Sequence, residues 1–240
     1  MPNVGTQTPQ TDFKGDWKPC SPETIGGFSA VGYFFGRTLH RVLDVPVGLI
    51  NDSWGGSAAE AWVRRDVLEQ DPRFKLLMEN TRRREAELSS PEGNARFLRD
   101  LAAWQKHSTD AKKTGSPFNE RPPQPPDAWL SGNARPGNIF NGVLLPTIGY
   151  GIKGVIWYQG ESNAGRAYEY GALFPRMIQH WREEWKQGDF PFYWVQLGYG
   201  QCVGGVARVA NENPERCQEW RSSGDHRPRR RHRHPSEEQA

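Results

Sequence analysis

Gly154-Val155-Ile156-Trp157-Tyr158-Gln159-Gly160-Glu161-Ser162-Asn163-Ala164-Gly165 carries the deciding pattern of this chain: an apolar run that ends abruptly in a polar, glycine-flanked turn. Residues 154–159 are short, apolar and bounded by glycine, which predicts a buried strand. A helical stretch follows at about 166–185, and residues 190–197 give another apolar run that reads as a strand. Strand, helix and strand in succession predict a crossover between parallel neighbours.

The same alternation continues upstream. Residues 28–43 place Phe28, Val31, Phe34, Phe35, Leu39 and Val42 at helical spacing, which predicts an amphipathic helix. Residues 45–50, marked off by Pro46 and by Asn51-Asp52, suit a third buried parallel strand. Ser57, with Glu60 three residues on, is expected to cap a helical turn running through Trp62. Residues 71–113 are charged and helix-favouring, divided into two helices by Pro91 and Gly93. Residues 1–24 read as loop, as do 117–136 with their six prolines. The pattern predicts an α/β layer fold around a parallel sheet, with no internal repeat.

Composition narrows the class. The 240 residues suit one ordinary domain, and ten Trp within a 12% aromatic content leave aromatic surface for a ligand such as a sugar. No apolar run is long enough for a membrane helix, and the polar residues 1–15 are not a secretory signal peptide. The net charge of +3 sits largely in the tail, where residues 227–234 read Arg-Pro-Arg-Arg-Arg-His-Arg-His. Cys20, Cys202 and Cys217 have no metal or redox spacing; they allow one disulfide and require none. His232 and His234 lack further nearby ligands for a metal. His40, His107 and His180 fall in predicted helices as surface or packing residues.

Ligands in open parallel sheets sit at the carboxyl ends of strands, so two turns stand out. In Asn51-Asp52-Ser53-Trp54-Gly55-Gly56-Ser57 the paired glycines let backbone N–H groups face an anion at a helix start; equally, they suit a tight turn with no ligand. The second turn, Gln159 to Gly165, admits three readings. Gly160-x-Ser162-x-Ala164 approximates a nucleophile elbow with Ser162 attacking an ester, although its last glycine is displaced to Gly165. Alternatively, Gln159 and Asn163 donate to an oxyanion formed elsewhere, or the turn is purely structural.

Gly26-Gly27-Phe28-Ser29-Ala30-Val31-Gly32-Tyr33-Phe34-Phe35-Gly36-Arg37, together with 45–57 and 155–163, resembles the sialate O-acetylesterases. Asn141-Gly142, Pro146 and Phe190-Pro191-Phe192 share the likeness, which runs from about residue 2 to 197. The resemblance implies the SGNH hydrolase superfamily: a three-layer α/β/α, flavodoxin-like fold with a parallel sheet, here incomplete. It implies an esterase that removes O-acetyl groups from sialic acids or other sugars, with no metal or organic cofactor. An acetylated carbohydrate is the expected partner; nucleic acid and membrane are not. A secreted, periplasmic or lysosomal setting is implied for the family, and the oligomeric state is left open.

By that resemblance Gly55 and Gly56 supply an oxyanion N–H, while Gln159, Gly160, Glu161, Ser162 and Asn163 line the oxyanion hole and acetyl pocket. The family nucleophile lies in a Gly-Gln-Ser-Asn-Met segment and its base in an Asp-x-x-His segment; neither occurs in these residues. The expectation is therefore a partial esterase domain at 1–197 that starts inside the family domain, lacks the triad, and is inactive as given. A non-catalytic, sugar-binding remnant and an esterase using Ser162 are the alternatives. After Leu197 the hydrophobic pattern stops. A one-base shift lets residues 233–239 read Asp-Ile-His-Pro-Lys-Asn-Lys, so 198–240 is expected to be an out-of-frame, disordered basic tail. The rival reading is a genuine basic tail for an anionic surface.

Overall fold

The computed structural model describes residues 3–197 of the 240. Helices α1 (Pro22–Ile25), α2 (Ala30–Leu43), α3 (Arg65–Gln70), α4 (Lys75–Leu88), α5 (Pro91–Thr114) and α6 (Pro126–Leu130) precede strand β1 (Val155–Trp157). Helix α7 (Ala167–Trp185) and strand β2 (Phe192–Trp194) follow it. The predicted tail and Cys202, Cys217, His232 and His234 lie outside the described residues.

Strands β1 and β2 pair in parallel, with Val155 opposite Phe192, Ile156 opposite Tyr193 and Trp157 opposite Trp194. Helix α7 is the crossover between them. Pleating sends alternate side chains to opposite faces. On one face Phe192 and Trp194 meet Phe174 of α7, and Phe192 also meets Trp181. On the other, Tyr193 meets Phe35 of α2. Helices thus flank both faces of a small parallel sheet, which is an incomplete α/β/α arrangement.

The core forms where α7 crosses the 3₁₀ turn Ala59–Trp62. Trp62, Trp157 and Trp181 pack on one another with ring centroids 5.4–6.1 Å apart, and Trp181 Nε1 donates to Trp62 O at 2.9 Å. Pro175 inside α7 does not prevent a helix of 19 residues.

Several expectations change in detail. Residues 45–50 do not form a strand: the described residues supply no ladder partner, and Val45 and Ile50 are exposed. Segment and helix nevertheless pack closely, for a Cβ on Gly36 would stand 2.6 Å from Leu49 Cδ1. Ser57 is not an N-cap; Ala58 precedes the 3₁₀ turn and Ser57 Oγ accepts from Trp62 Nε1 at 2.9 Å. The predicted loops at 1–24 and 117–136 hold the short helices α1 and α6, each with proline in its first turn. Between α4 and α5, Ser90 is the cap (its Oγ accepts from Gly93 N) and Pro91 the first helical residue. Gly93 is inside α5, where a Cβ would meet Glu87 O. No helix among the described residues is long and apolar enough to cross a membrane.

Candidate functional site

The turn that ends β1 and the turn at Gly55-Gly56 are fastened to each other by hydrogen bonds between residues more than a hundred positions apart. Ser162 Oγ donates to Gly56 O at 2.8 Å, and Gln159 Nε2 donates to Ser57 O at 2.8 Å. Ala59 N donates to Asn163 Oδ1 at 2.9 Å. Asn133 reinforces the first turn, donating from Nδ2 to Gly55 O and accepting Ala58 N at its own O.

Asn163 is buried, and both the oxygen and the nitrogen of its amide are engaged. Its Oδ1 accepts from Ala59 N and from Gln159 Nε2, and its Nδ2 donates to Glu60 Oε2 at 2.8 Å. Gln159 spends both amide protons, on Ser57 O and on Asn163 Oδ1, while its Oε1 accepts from Tyr170 Oη at 3.1 Å. Burial pushes the Tyr170 phenol up to about 12, so it stays a donor at neutral pH. Of the three side chains whose roles the sequence left open, the two amides bind the turns together and only Ser162 is exposed.

Backbone groups supply what remains. The N–H groups of Gly55 and Gly56 lie on the exposed rim and make no hydrogen bond among the described residues. Gly56 sits at φ +70 and Gly160 at φ +154, conformations costly to other residues. At Gly160 a Cβ would also press on Leu197 Cδ1 at 2.9 Å. Glu161 is exposed beside it. The helix start expected after Gly56 is only a four-residue 3₁₀ turn, so any anion there would be held by local N–H groups rather than by a long helix dipole.

Behind the turns lies a buried charge pair that the sequence reading did not assign to the site. Glu60 is 3% exposed and accepts from Arg166 Nη2 at 2.5 Å; Arg166 also pairs with Glu169. Burial acts against the Arg166 charge, yet the two carboxylates outweigh it and raise its pKa. Burial raises Glu169, with Arg166 opposing the rise. A visible signal was present: Glu60 is the lone charge in Ala58-Ala59-Glu60-Ala61-Trp62-Val63, an otherwise apolar run.

Among the described residues no histidine is hydrogen-bonded to Ser162, whose Oγ donates to Gly56 O. His40 Nδ1 pairs with Val45 O at 2.7 Å, and His107 lies 3.5 Å from Glu120. His180 is buried on α7 against Phe140; its Nε2 is 3.3 Å from Glu184 Oε1 without hydrogen-bond geometry. Asp52, in the first turn, has one carboxylate oxygen buried without a partner, and burial raises its pKa to about 6.

The fold is similar to that of a solved carbohydrate acetylesterase from Xanthomonas citri. The two align with a TM-score of 0.54 at 30% identity, over 82% of this chain and 33% of that one. Residues 142–222 match the family model for "Carbohydrate esterase, sialic acid-specific acetylesterase". The rat sialate O-acetylesterase is 32% identical over 177 residues, 70% of this chain and 29% of the relative. The human sialate O-acetylesterase is 29% identical over 195 residues, 75% of this chain and 28% of the relative. The chain belongs to this carbohydrate esterase family, and it spans less than a third of the length of the curated relatives it matches.

Proposed function

We propose that this chain carries the oxyanion-binding part of an esterase that removes O-acetyl groups from sugars, sialic acids among them. The observation that carries the reading is the fastening of the Gly55-Gly56 turn to the turn that ends β1, which leaves the Gly55 and Gly56 N–H groups unspent on an exposed rim. When a serine attacks an acetyl ester, the carbonyl oxygen gains negative charge, and preorganised N–H donors stabilise it without having to reorient. Gln159 and Asn163 keep the donors in place by holding the turns. The attacking serine and its base would come from the Gly-Gln-Ser-Asn-Met and Asp-x-x-His segments the family likeness calls for.

Acetate release from an O-acetylated sialic acid and an O-acetylated neutral sugar tests this, using the chain alone and a form extended to include both segments. The extended form should release acetate. The chain alone should show at most the residual rate of a site without its triad, about 10³–10⁴ over water. Failure of the extended form on every acetylated sugar sinks the reading. A fluorophosphonate probe separates the alternative: an adduct on Ser162 of the 240-residue chain would make Ser162 the nucleophile, against its observed engagement with Gly56 O.

A further inference from the structure

We propose that Glu60, held by Arg166, is the positioning residue that sets the amide orientations of Asn163 and Gln159 and so fixes the geometry of the rim; its functional meaning rests on the oxyanion reading above. The argument is one of donor and acceptor counting. Glu60 presents two carboxylate oxygens, and each has a different donor: Oε1 takes Arg166 Nη2 and Oε2 takes Asn163 Nδ2. With Nδ2 committed to Glu60, Asn163 Oδ1 must face Ala59 N and Gln159 Nε2. Tyr170 closes the chain from the far end by donating to Gln159 Oε1, which turns Nε2 toward Ser57 O. Every link has one donor and one acceptor, so the orientations are mutually determined.

A carboxylate is required at position 60. An amide offers one acceptor and one donor group. If the oxygen of Glu60→Gln serves Arg166, its NH₂ confronts the Asn163 NH₂. Turning Asn163 over only moves the conflict to Ala59 N–H and Gln159 NH₂. The charge matters too, because Arg166 would then be half-buried opposite a neutral group and Glu169 alone. The guanidinium in turn gives the buried Glu60 carboxylate the partner that a buried charge needs.

The test uses the ¹⁵N-labelled 240-residue chain, wild type and Glu60→Gln, Glu60→Asp, Arg166→Lys and Leu68→Ala. Leu68 is fully buried in the core and in none of these hydrogen bonds, so its variant controls for destabilisation alone. Two readouts are taken: the side-chain NH₂ resonances of Asn163 and Gln159, and the shifts of the Gly55 and Gly56 amides on titration with sodium acetate. Glu60→Gln should displace both NH₂ resonances and weaken acetate binding about tenfold, the size expected for losing a hydrogen bond to a charged group. Glu60→Asp, which keeps two acceptors, should recover part of both. Arg166→Lys should fall between. Leu68→Ala should move neither. If Glu60→Gln leaves the NH₂ resonances at wild-type positions, or Leu68→Ala moves them as far, the positioning role is wrong. Should Glu60→Gln not fold, Glu60→Asp and Arg166→Lys decide by the same resonances. Acetate that shifts neither glycine amide in wild type would overturn the oxyanion reading, while the NH₂ resonances still judge the positioning role.

Discussion

The two faces of the sheet are built from similar sequence and end in different states. Against α7, Trp157 and Phe192 are buried among Leu173, Phe174, Met177 and Trp181. Against α2, the apolar stripe that the helical spacing predicts is open: Phe34 is 53% exposed and Val42 76% exposed, while Gly32 and Gly36 are the buried residues of that helix. Amphipathic spacing therefore identifies a face that can be buried, but not whether the described residues cover it. Apolar side chains stabilise in proportion to the area removed from water, so the two stripes should differ sharply in energetic weight.

The largest expected effect lies on the covered face. Trp181→Ala removes a ring packed on Trp62, Trp157 and Phe192, together with its hydrogen bond to Trp62 O, and should cost about 3–5 kcal/mol. Urea unfolding midpoints measure it. A loss below about 1 kcal/mol would mean that the α7 face is not the stabilising one.

A second contrast is in pH. His180, on α7, is held down to about 3, mainly by burial with the Arg64 and Arg176 charges adding. Its unfolded value is near 6.5, so stability is lost as pH falls from about 6.5 toward 3. Asp52, in the turn that follows the uncovered segment 45–50, is raised to about 6 from 3.8, chiefly by burial. The folded state therefore holds that proton more tightly, and stability is lost as pH rises from about 4 through 6. The two oppose each other between about pH 4 and 6. Asp52→Asn should add up to about 3 kcal/mol at pH 8 and nothing at pH 4, unmasking the His180 slope. Melting temperatures across pH 3 to 8 test this; a variant whose profile parallels wild type would show that Asp52 does not titrate in this window.

These contrasts also show what could be read from sequence. Local chemistry exposed the elements: Ser90-Pro91 starts α5, and apolar runs closing on Gly160 and on the stretch around Phe192 mark the two paired strands. The same signal at 45–50 misled, since a strand requires a ladder partner and the run itself says nothing of one. The turns at Gly55-Gly56 and Gln159 to Asn163 were legible because each crowds polar residues and glycine at the end of an apolar run. How each amide points was not, because Asn163 is oriented by Glu60, 103 residues away, and that pairing exists only after folding. Ser57, taken for a cap, serves instead as an acceptor for a tryptophan that the fold brings back over it.

The smallest expected effect, on the uncovered face, sharpens the comparison most. Phe34→Gln removes a ring that is largely in water, with the Arg37 guanidinium 4.7 Å from its centroid and Tyr33 at 5.2 Å. An exposed cation–π contact is worth about 0.5–1 kcal/mol, and little buried area is lost with it. The cost should therefore stay under about 1 kcal/mol, and the bound fluorescence of an apolar dye should fall because an open apolar patch has been interrupted. Urea unfolding at two protein concentrations, with the dye titrated in parallel, gives both readings. A loss as large as that of Trp181→Ala would mean the stripe is covered in solution. If that loss also grew with protein concentration, the cover would be a second copy of the chain, since only an intermolecular contact follows mass action.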